Sequence, residues 1–114
     1  MDKRLFWLGS SRRDIRSFPT QARRTAGFEL FRVQQGLDPT DWKPMATVGV
    51  GVREIRIHSG NEHRVCYLAR FDEGVYVLHA FEKRSQRTAR ADVTLARARY
   101  RELLAWRREQ GYGN

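Results

Sequence analysis

Three β-strand patterns follow one another between residues 52 and 83, and they constrain the fold more than any other feature of this sequence. The segments read VREIRIH, HRVCYLARF and VYVLHAFEKR. The links between them, at residues 59–62 and 72–74, are short, and strands joined by short turns pair antiparallel. The third segment is apolar at nearly every position, which is typical of a central strand covered on both faces. The sequence therefore predicts an antiparallel sheet in this region.

Helical patterns lie on both sides of the predicted sheet. Residues 4–9 read as an initial strand, and residues 12–35 read as two helices separated at Pro19, because proline is favoured as the first residue of a helix. A final helix with one apolar stripe is predicted beyond Thr88, which has a side chain suited to capping it. Residues 37–50 carry prolines and glycines at short intervals, and this pattern predicts a loop.

Together these elements predict one α+β domain. Its expected order is an N-terminal strand and helical hairpin, an antiparallel sheet of three or four strands, and a C-terminal helix. A chain of 114 residues is long enough for one modest core, so residues 1–114 are expected to form a single domain. No apolar run approaches the roughly 20 residues of a membrane span, and the first residues lack a signal-peptide pattern. No membrane contact and a cytoplasmic location are therefore expected.

The charge of the chain points to an anionic partner. The sequence contains 22 Lys and Arg residues against 13 Asp and Glu residues, a formal net charge of +9. The excess of positive charge lies before residue 36 and after residue 80. We interpret this distribution as a sign of nucleic-acid binding. The alternative is that the arginine-rich helices simply present solvated faces.

Five basic residues on the predicted strands are candidates for catalysis. Alternation places Arg56 and His58 on one face of their strand, Arg64 begins the neighbouring strand, and Lys83 and Arg84 end the third. A cationic site without a metal suits the cleavage of RNA by its own 2′-hydroxyl. That reaction needs a base, cations that stabilise the phosphate in the transition state, and an acid for the leaving oxygen. The histidines and the single cysteine lack metal-binding spacing, so no metal or other cofactor is expected.

Each of these candidates has a structural alternative. Arg64 could form a structural ion pair with Glu54 or Glu62, and His58 could be a surface histidine beside a turn. Lys83 could be a solvated strand end. The sequence leaves these alternatives open.

In combination, three stretches of the chain resemble the RelE/HigB-type toxins of bacterial toxin–antitoxin systems, in the subgroup of phage-related proteins. These stretches are FWLGSSRRDIRSFP, the strand pair VREIRI and HRVCYLARF, and the ending VYVLHAFEKRSQRT with ADVTLARAR. The resemblance runs from Leu5 to about Leu104. It implies a RelE-like fold and the activity of most members, which are type II toxins that inhibit translation by cleaving messenger RNA in the ribosomal A site.

The resemblance also implies roles for individual residues. Arg64 corresponds to the residue that binds the phosphate in the transition state, and Arg84 to the cation near the leaving oxygen, with Lys83 beside it. Arg56 stands where relatives carry a basic residue, often lysine. An arginine is a poor general base because its pKa stays above about 12, whereas His58, with an unperturbed pKa near 6.5, would suit proton transfer better. The identities of the base and the acid stay open.

The partners that the resemblance implies are a HigA-like helix-turn-helix antitoxin, messenger RNA and ribosomal RNA, with operator DNA bound only through the antitoxin. Two other functions stay open. One is a non-enzymatic, gyrase-poisoning toxin of the same superfamily, and the other is an inactive nucleic-acid-binding accessory protein. A shared fold cannot decide among them, since one scaffold hosts different activities. Two further residues are expected to be structural: His79 as a hydrogen-bonded core histidine, and Tyr100 on the apolar stripe of the last helix.

Overall fold

The computed structural model describes residues 2–113, which form three helices and a single sheet. In chain order, the elements are β1 (Arg4–Trp7), α1 (Ser11–Arg16), α2 (Thr20–Gln34), β2 (Trp42–Pro44), β3 (Val52–Ser59), β4 (Asn61–Leu68), β5 (Gly74–Lys83) and α3 (Arg90–Glu109). This order confirms the predicted α+β class, with its N-terminal strand and helices, its sheet and its C-terminal helix. Among residues 2–113, no helix is long and apolar enough to cross a membrane.

The sheet has five strands in the order β1-β5-β4-β3-β2. The three predicted strands, β3, β4 and β5, pair antiparallel as expected. β1 adds to the edge of β5 in parallel, so the whole sheet is mixed rather than purely antiparallel. β2 lies within the stretch predicted as a loop and pairs with β3, with Trp42 opposite Ile55. A three-residue strand ending in Pro44 carries no alternation of its own, and only its pairing with β3 makes it a strand.

Two apolar clusters cover the two faces of the sheet. On one face α1 and α2 pack through Ile15, Ala22, Ala26 and Leu30 onto the inward residues of β3, β4 and β5, including Ile55, Ile57, Val65 and Val77. On the other face α3 packs through Ala96, Tyr100 and Leu103 onto Cys66, Leu68, Tyr76 and Leu78. Both faces of the central strands are therefore buried, which explains why β5 is apolar at nearly every position.

The start of α3 differs from the prediction. The helix begins at Arg90 with Ala89 at its N-cap, so the predicted cap by Thr88 is wrong. The Thr88 hydroxyl instead donates a hydrogen bond to the Oε2 atom of Glu54, at 3.3 Å. At the end of the sheet where β3 and β4 meet through a tight turn, the turn residues and the β5–α3 connection are largely exposed.

Two expectations about core residues are confirmed. His79 is buried, and its Nε2 atom lies 2.7 Å from the Oδ1 atom of Asp92 in the first turn of α3. Tyr100 is buried in the cluster beneath α3, and its hydroxyl donates a hydrogen bond to the carbonyl oxygen of Val50 at 3.2 Å. Both residues thus link α3 to the rest of the domain.

Candidate active site

An open cleft of about 550 Å³ lies at the uncovered end of β3, β4 and β5. Four of the five basic residues singled out in the sequence line it. The full lining is Arg56, Glu62, Arg64, Lys83, Arg84, Ser85 and Gln86. Four cations therefore meet a single carboxylate around one concave surface. Such an imbalance in a concave site attracts anions.

The strand register brings the cleft residues together. Arg56 of β3 stands directly opposite Arg64 of β4, and Arg64 in turn stands opposite Phe81 of β5. Lys83 follows two residues after Phe81, so it lies on the same face of β5. Two like charges directly opposite each other destabilise a sheet unless neighbouring groups compensate them. The cleft should therefore contain carboxylates close to the two arginines.

Glu54 supplies one of these carboxylates from the same face of β3. It is fully buried, and its Oε1 atom lies 3.4 Å from the Nε atom of Arg64 and 3.7 Å from the Nζ atom of Lys43. The sequence analysis gave Glu54 no role beyond that of a possible partner of Arg64. Its position two residues before Arg56, on the same strand face, was the available signal.

Arg64 is held in place on several sides. Besides Glu54, its Nη2 atom donates a hydrogen bond to the Oε1 atom of Glu62 at 3.2 Å, and its Nη1 atom donates to the carbonyl oxygen of His63 at 3.0 Å. Only 2% of the residue is exposed. The ion pairs considered for Arg64 in the sequence are both present, one with Glu54 and one with Glu62. It can offer the cleft a fixed positive charge, which Glu54 and Glu62 partly offset.

His58 lies outside the cleft lining, on the exposed side of the β3–β4 turn. Its Nε2 atom is 2.5 Å from the Oδ2 atom of Asp41, and its Nδ1 atom is 2.7 Å from the Oε1 atom of Glu62. Hydrogen bonds to Asp41 and then to Glu62 raise the pKa of His58. These carboxylates favour the imidazolium, which can donate a proton but cannot accept one. Glu62 connects His58 to the cleft because it also pairs with Arg64.

Lys83 is the cleft residue best suited to act as a general base, because it can lose its own proton most easily. Partial burial, followed by the positive charges of Arg64, Lys43 and Arg56, lowers the pKa of Lys83. Within residues 2–113 its ammonium group makes no ion pair. A lysine with a lowered pKa is more readily deprotonated near neutral pH, so it can act as a base.

Arg56 and Arg84 complete the positive charge of the cleft. The Nη1 atom of Arg56 lies 3.9 Å from the Oδ1 atom of Asp41. The other carboxylate oxygen of Asp41, Oδ2, contacts His58. Arg84 is largely exposed, and its Nη2 atom lies 3.8 Å from the Oε2 atom of Glu82. At these distances both guanidinium groups keep donors for a phosphate ligand.

In the part of the chain that the structure describes, no three His, Cys, Asp or Glu residues cluster closely enough to hold a metal ion.

Cys66 is buried under α3, and burial raises the pKa of its thiol far above the ordinary range. A thiol in that environment stays protonated and is a poor nucleophile.

The fold and the cleft define a small, basic α+β protein with a cationic cleft at one end of its sheet. In a comparison with protein families, the model described as Phage derived protein Gp49-like (DUF891) matches residues 13–101. The chain therefore belongs to the Gp49-like family of phage-derived proteins, a toxin family similar to the RelE/ParE superfamily. None of the curated proteins matches the chain.

The family assignment confirms the resemblance seen in the sequence at the level of this toxin family. The matched segment runs from α1 into α3 and contains all five candidate residues. Toxins of this kind typically pair with an antitoxin, and related toxins can be ribonucleases.

Proposed function

We propose that this protein is the toxin of a HigB-type, type II toxin–antitoxin system and cleaves messenger RNA on the ribosome without a metal ion. The observation that carries this proposal is the convergence of Arg56, Arg64, Lys83 and Arg84 on one open cleft. Residues from three strands meet there, and their charges exceed what the lining carboxylate can neutralise. A phosphodiester is the anion that such a cleft in a toxin of this family would bind.

The proposed reaction is the attack of a ribose 2′-oxygen on the adjacent phosphorus. The 2′-hydroxyl gives its proton to Lys83, the new O–P bond forms, and the bond from phosphorus to the 5′-oxygen breaks. The 5′-oxygen leaves with a proton, so the products carry a 2′,3′-cyclic phosphate and a 5′-hydroxyl. Protonated Lys83 can return its proton to the leaving oxygen. The His58 imidazolium is the other candidate acid, although it would have to act from outside the cleft.

The arginines would stabilise the charge that develops on the phosphate. Arg64, fixed by Glu54 and Glu62, needs little rearrangement as the charge develops, and such preorganised donors are effective in catalysis. Arg56 stands opposite it across the strand pair and would contact a second phosphate oxygen. Arg84, at the exposed rim, would lie near the leaving oxygen.

The experiment that tests this proposal is primer extension on a reporter message after expression of the protein. The wild type should produce discrete cuts within codons, and Lys83→Met should produce none while keeping the fold. Arg4→Ala, which removes an exposed charge at the opposite end of the sheet, should cut like the wild type. An intact message together with DNA breaks would instead identify a gyrase poison. Harmless expression with an intact message would identify an inactive accessory protein.

The partners follow from the same proposal. A cognate HigA-like, helix-turn-helix antitoxin would hold the toxin inactive and would bind operator DNA, which the toxin would reach only through it. The arginine-rich segments 12–24 and 97–108 would bind ribosomal RNA phosphates, and the protein would act in the cytoplasm where ribosomes are. Co-purification of the toxin with the product of the adjacent gene would test the first of these partners.

A further inference from the structure

A second groove, of about 680 Å³, adjoins the cleft. One wall comprises β2 and the residues that follow it, and the other comprises the β5–α3 connection and the first two turns of α3. Its lining includes four cations, Lys43, Arg87, Arg90 and Arg97. None of the described residues that line it is Asp or Glu. We refer to it below as the flanking groove.

The flanking groove and the cleft form one continuous surface. Gln86 lines both of them. Lys43, at the edge of the groove, and Arg64, in the cleft, contact the same Oε1 atom of the buried Glu54, at 3.7 and 3.4 Å. Glu54 therefore lies beneath the boundary between the two cavities. An extended ligand could pass from one to the other without crossing a carboxylate-rich surface.

Two of the groove's four cations are free to bind a ligand. Arg87 and Arg90 are exposed, and neither side chain forms an ion pair or a hydrogen bond with any residue from 2 to 113. Arg97 differs, because its Nε atom donates a hydrogen bond to the carbonyl oxygen of Thr47 at 2.9 Å and thus joins the two walls. Lys43 is occupied by Glu54. The groove therefore combines a hydrogen-bonded link between its walls with two uncompensated guanidinium groups.

Half of the eight other lining residues of the groove are apolar, and the other half are threonines and a glutamine. Pro44, Met45 and Ala46 lie on one wall and Val93 on the other. A lining of this kind suits single-stranded nucleic acid, whose splayed-out bases can stack on arginine guanidinium planes beside the apolar side chains while the phosphates meet the cations. A rigid duplex hides its base faces and would gain nothing from this apolar surface.

We infer that the flanking groove binds the nucleotides of single-stranded RNA next to the scissile phosphate. This inference rests on the proposed function, because it takes the cleft as the place where the chain is cut. Arg87 and Arg90 bind the phosphates of the flanking nucleotides. RNA long enough to occupy both cavities therefore binds more tightly than RNA that fills the cleft alone.

The test compares a short and a long RNA. Fluorescence anisotropy is measured with 5′-labelled 2′-O-methyl oligouridylates of three and ten nucleotides, which cannot be cleaved through the 2′-oxygen. The wild type should bind the ten-nucleotide probe more tightly than the three-nucleotide probe. Arg87→Ala/Arg90→Ala should lose about tenfold in affinity for the long probe at low salt and keep its affinity for the short one. The slope of log K against log salt should become shallower by about 1.4, since each phosphate contact on a single strand contributes about 0.7.

The matched control is Arg4→Ala/Arg70→Ala, which removes the same exposed charge from the opposite end of the sheet, outside both cavities. If this control loses as much affinity as the groove variant, net charge alone explains the binding and the inference is overturned. It is also overturned if the groove variant binds both probes like the wild type, or if duplex DNA binds better than the long RNA.

Failure of the inference and failure of the proposed function give different results. If the wild type cuts messages and the groove variant binds RNA as tightly as the wild type, the proposed function stands and the inference about the groove is overturned. A wild type that shows the expected length dependence but leaves messages intact keeps the groove and loses the nuclease. Binding of neither probe by the wild type overturns the groove, and the primer-extension experiment then decides the function separately.

Discussion

The Nε atom of Arg64 lies 3.4 Å from the Oε1 atom of Glu54, and both side chains are almost completely shielded from solvent. The pair lies beneath the cationic cleft, at the point where it meets the flanking groove. A buried charge that loses its partner is strongly destabilising, whereas the intact pair contributes little net stability. Glu54 therefore acts mainly as the counter-charge that allows cations to be concentrated on this end of the sheet.

The first prediction concerns this pair. Glu54→Gln should lower the free energy of unfolding by about 3 kcal/mol, because Arg64 and Lys43 lose a buried counter-charge. Glu54→Gln/Arg64→Met should recover part of that loss, since the buried guanidinium that lost its Glu54 counter-charge is then absent. Urea denaturation at pH 7 measures both. A loss below about 0.5 kcal/mol in the single variant would contradict the role assigned to Glu54.

The second prediction concerns the general base. Lys83→Met should lower the rate of RNA cleavage by about 10²-fold or more, which is the usual contribution of general acid–base catalysis. Lys83→Arg should keep RNA affinity and still lose rate, because an arginine retains its proton. The wild-type rate should rise with pH towards the lowered pKa of Lys83 and level off, and the variants should lack that limb. Single-turnover cleavage assays across pH provide the measurement. A decrease in cleavage rate of less than about threefold in Lys83→Met would contradict the role assigned to Lys83.

The third prediction concerns the pH dependence around His58. Because Asp41 and Glu62 raise its pKa in the folded state, the folded protein binds the proton more tightly than the unfolded chain. The stabilisation is fully present below the unfolded pKa of about 6.5 and is lost as pH rises through the raised value. His58→Asn should flatten this decline in thermal stability. Titration of the His58 ring protons by NMR provides a direct check, and a pKa at or below 6.5 would refute the contacts.

The fourth prediction concerns the ion pair that anchors the end of α3. Glu73 accepts hydrogen bonds from the Nε and Nη2 atoms of Arg107, at 2.6 and 3.0 Å. This contact lowers the pKa of Glu73 to about 2. The resulting stability is present above about pH 4.5 and is lost as pH falls towards 2. Glu73→Gln should therefore lower the unfolding free energy at pH 7 by about 2 kcal/mol, and the difference should shrink at pH 3.

Glu102→Gln, an exposed change on the same helix, serves as the control for that experiment. It should leave the unfolding free energy within about 0.5 kcal/mol at both pH values. A Glu73→Gln variant that keeps the same deficit at pH 3 as at pH 7 would show that the loss comes from packing rather than from charge.

The part of the fold that the sequence predicted has strong local signals. β3, β4 and β5 alternate or are continuously apolar, and their turns are short enough to require antiparallel neighbours. β1 was predicted as a strand, but its parallel pairing with β5 joins residues about 70 positions apart, and nothing local specifies that contact. β2 carries only three residues and one proline, so its strand character comes entirely from β3.

The candidate site was predictable to a similar extent. Arg56, Arg64, Lys83 and Arg84 were found because basic residues at these strand positions are unusual, and all four line the cleft. The sequence left open that His58 is a surface histidine beside a turn, and that is where it lies, in contact with Asp41, which directly precedes β2. The sequence named Glu54 only as a possible partner of Arg64, and its contact with Lys43 depends on the pairing of β2 with β3. The flanking groove was missed because it depends on where the β5–α3 connection lies against β2.

The sequence by itself determined the α+β class, the strand pattern and the excess of positive charge, because these depend on the identity and spacing of neighbouring residues. The tertiary structure decided which charges are neutralised and which stay available. Arg64 and Lys43 meet the buried Glu54, whereas Lys83, Arg87 and Arg90 have no carboxylate within ion-pair distance in residues 2–113. The reason is physical: electrostatic energy depends on distance in space and on burial, and both are fixed only when distant segments pack together.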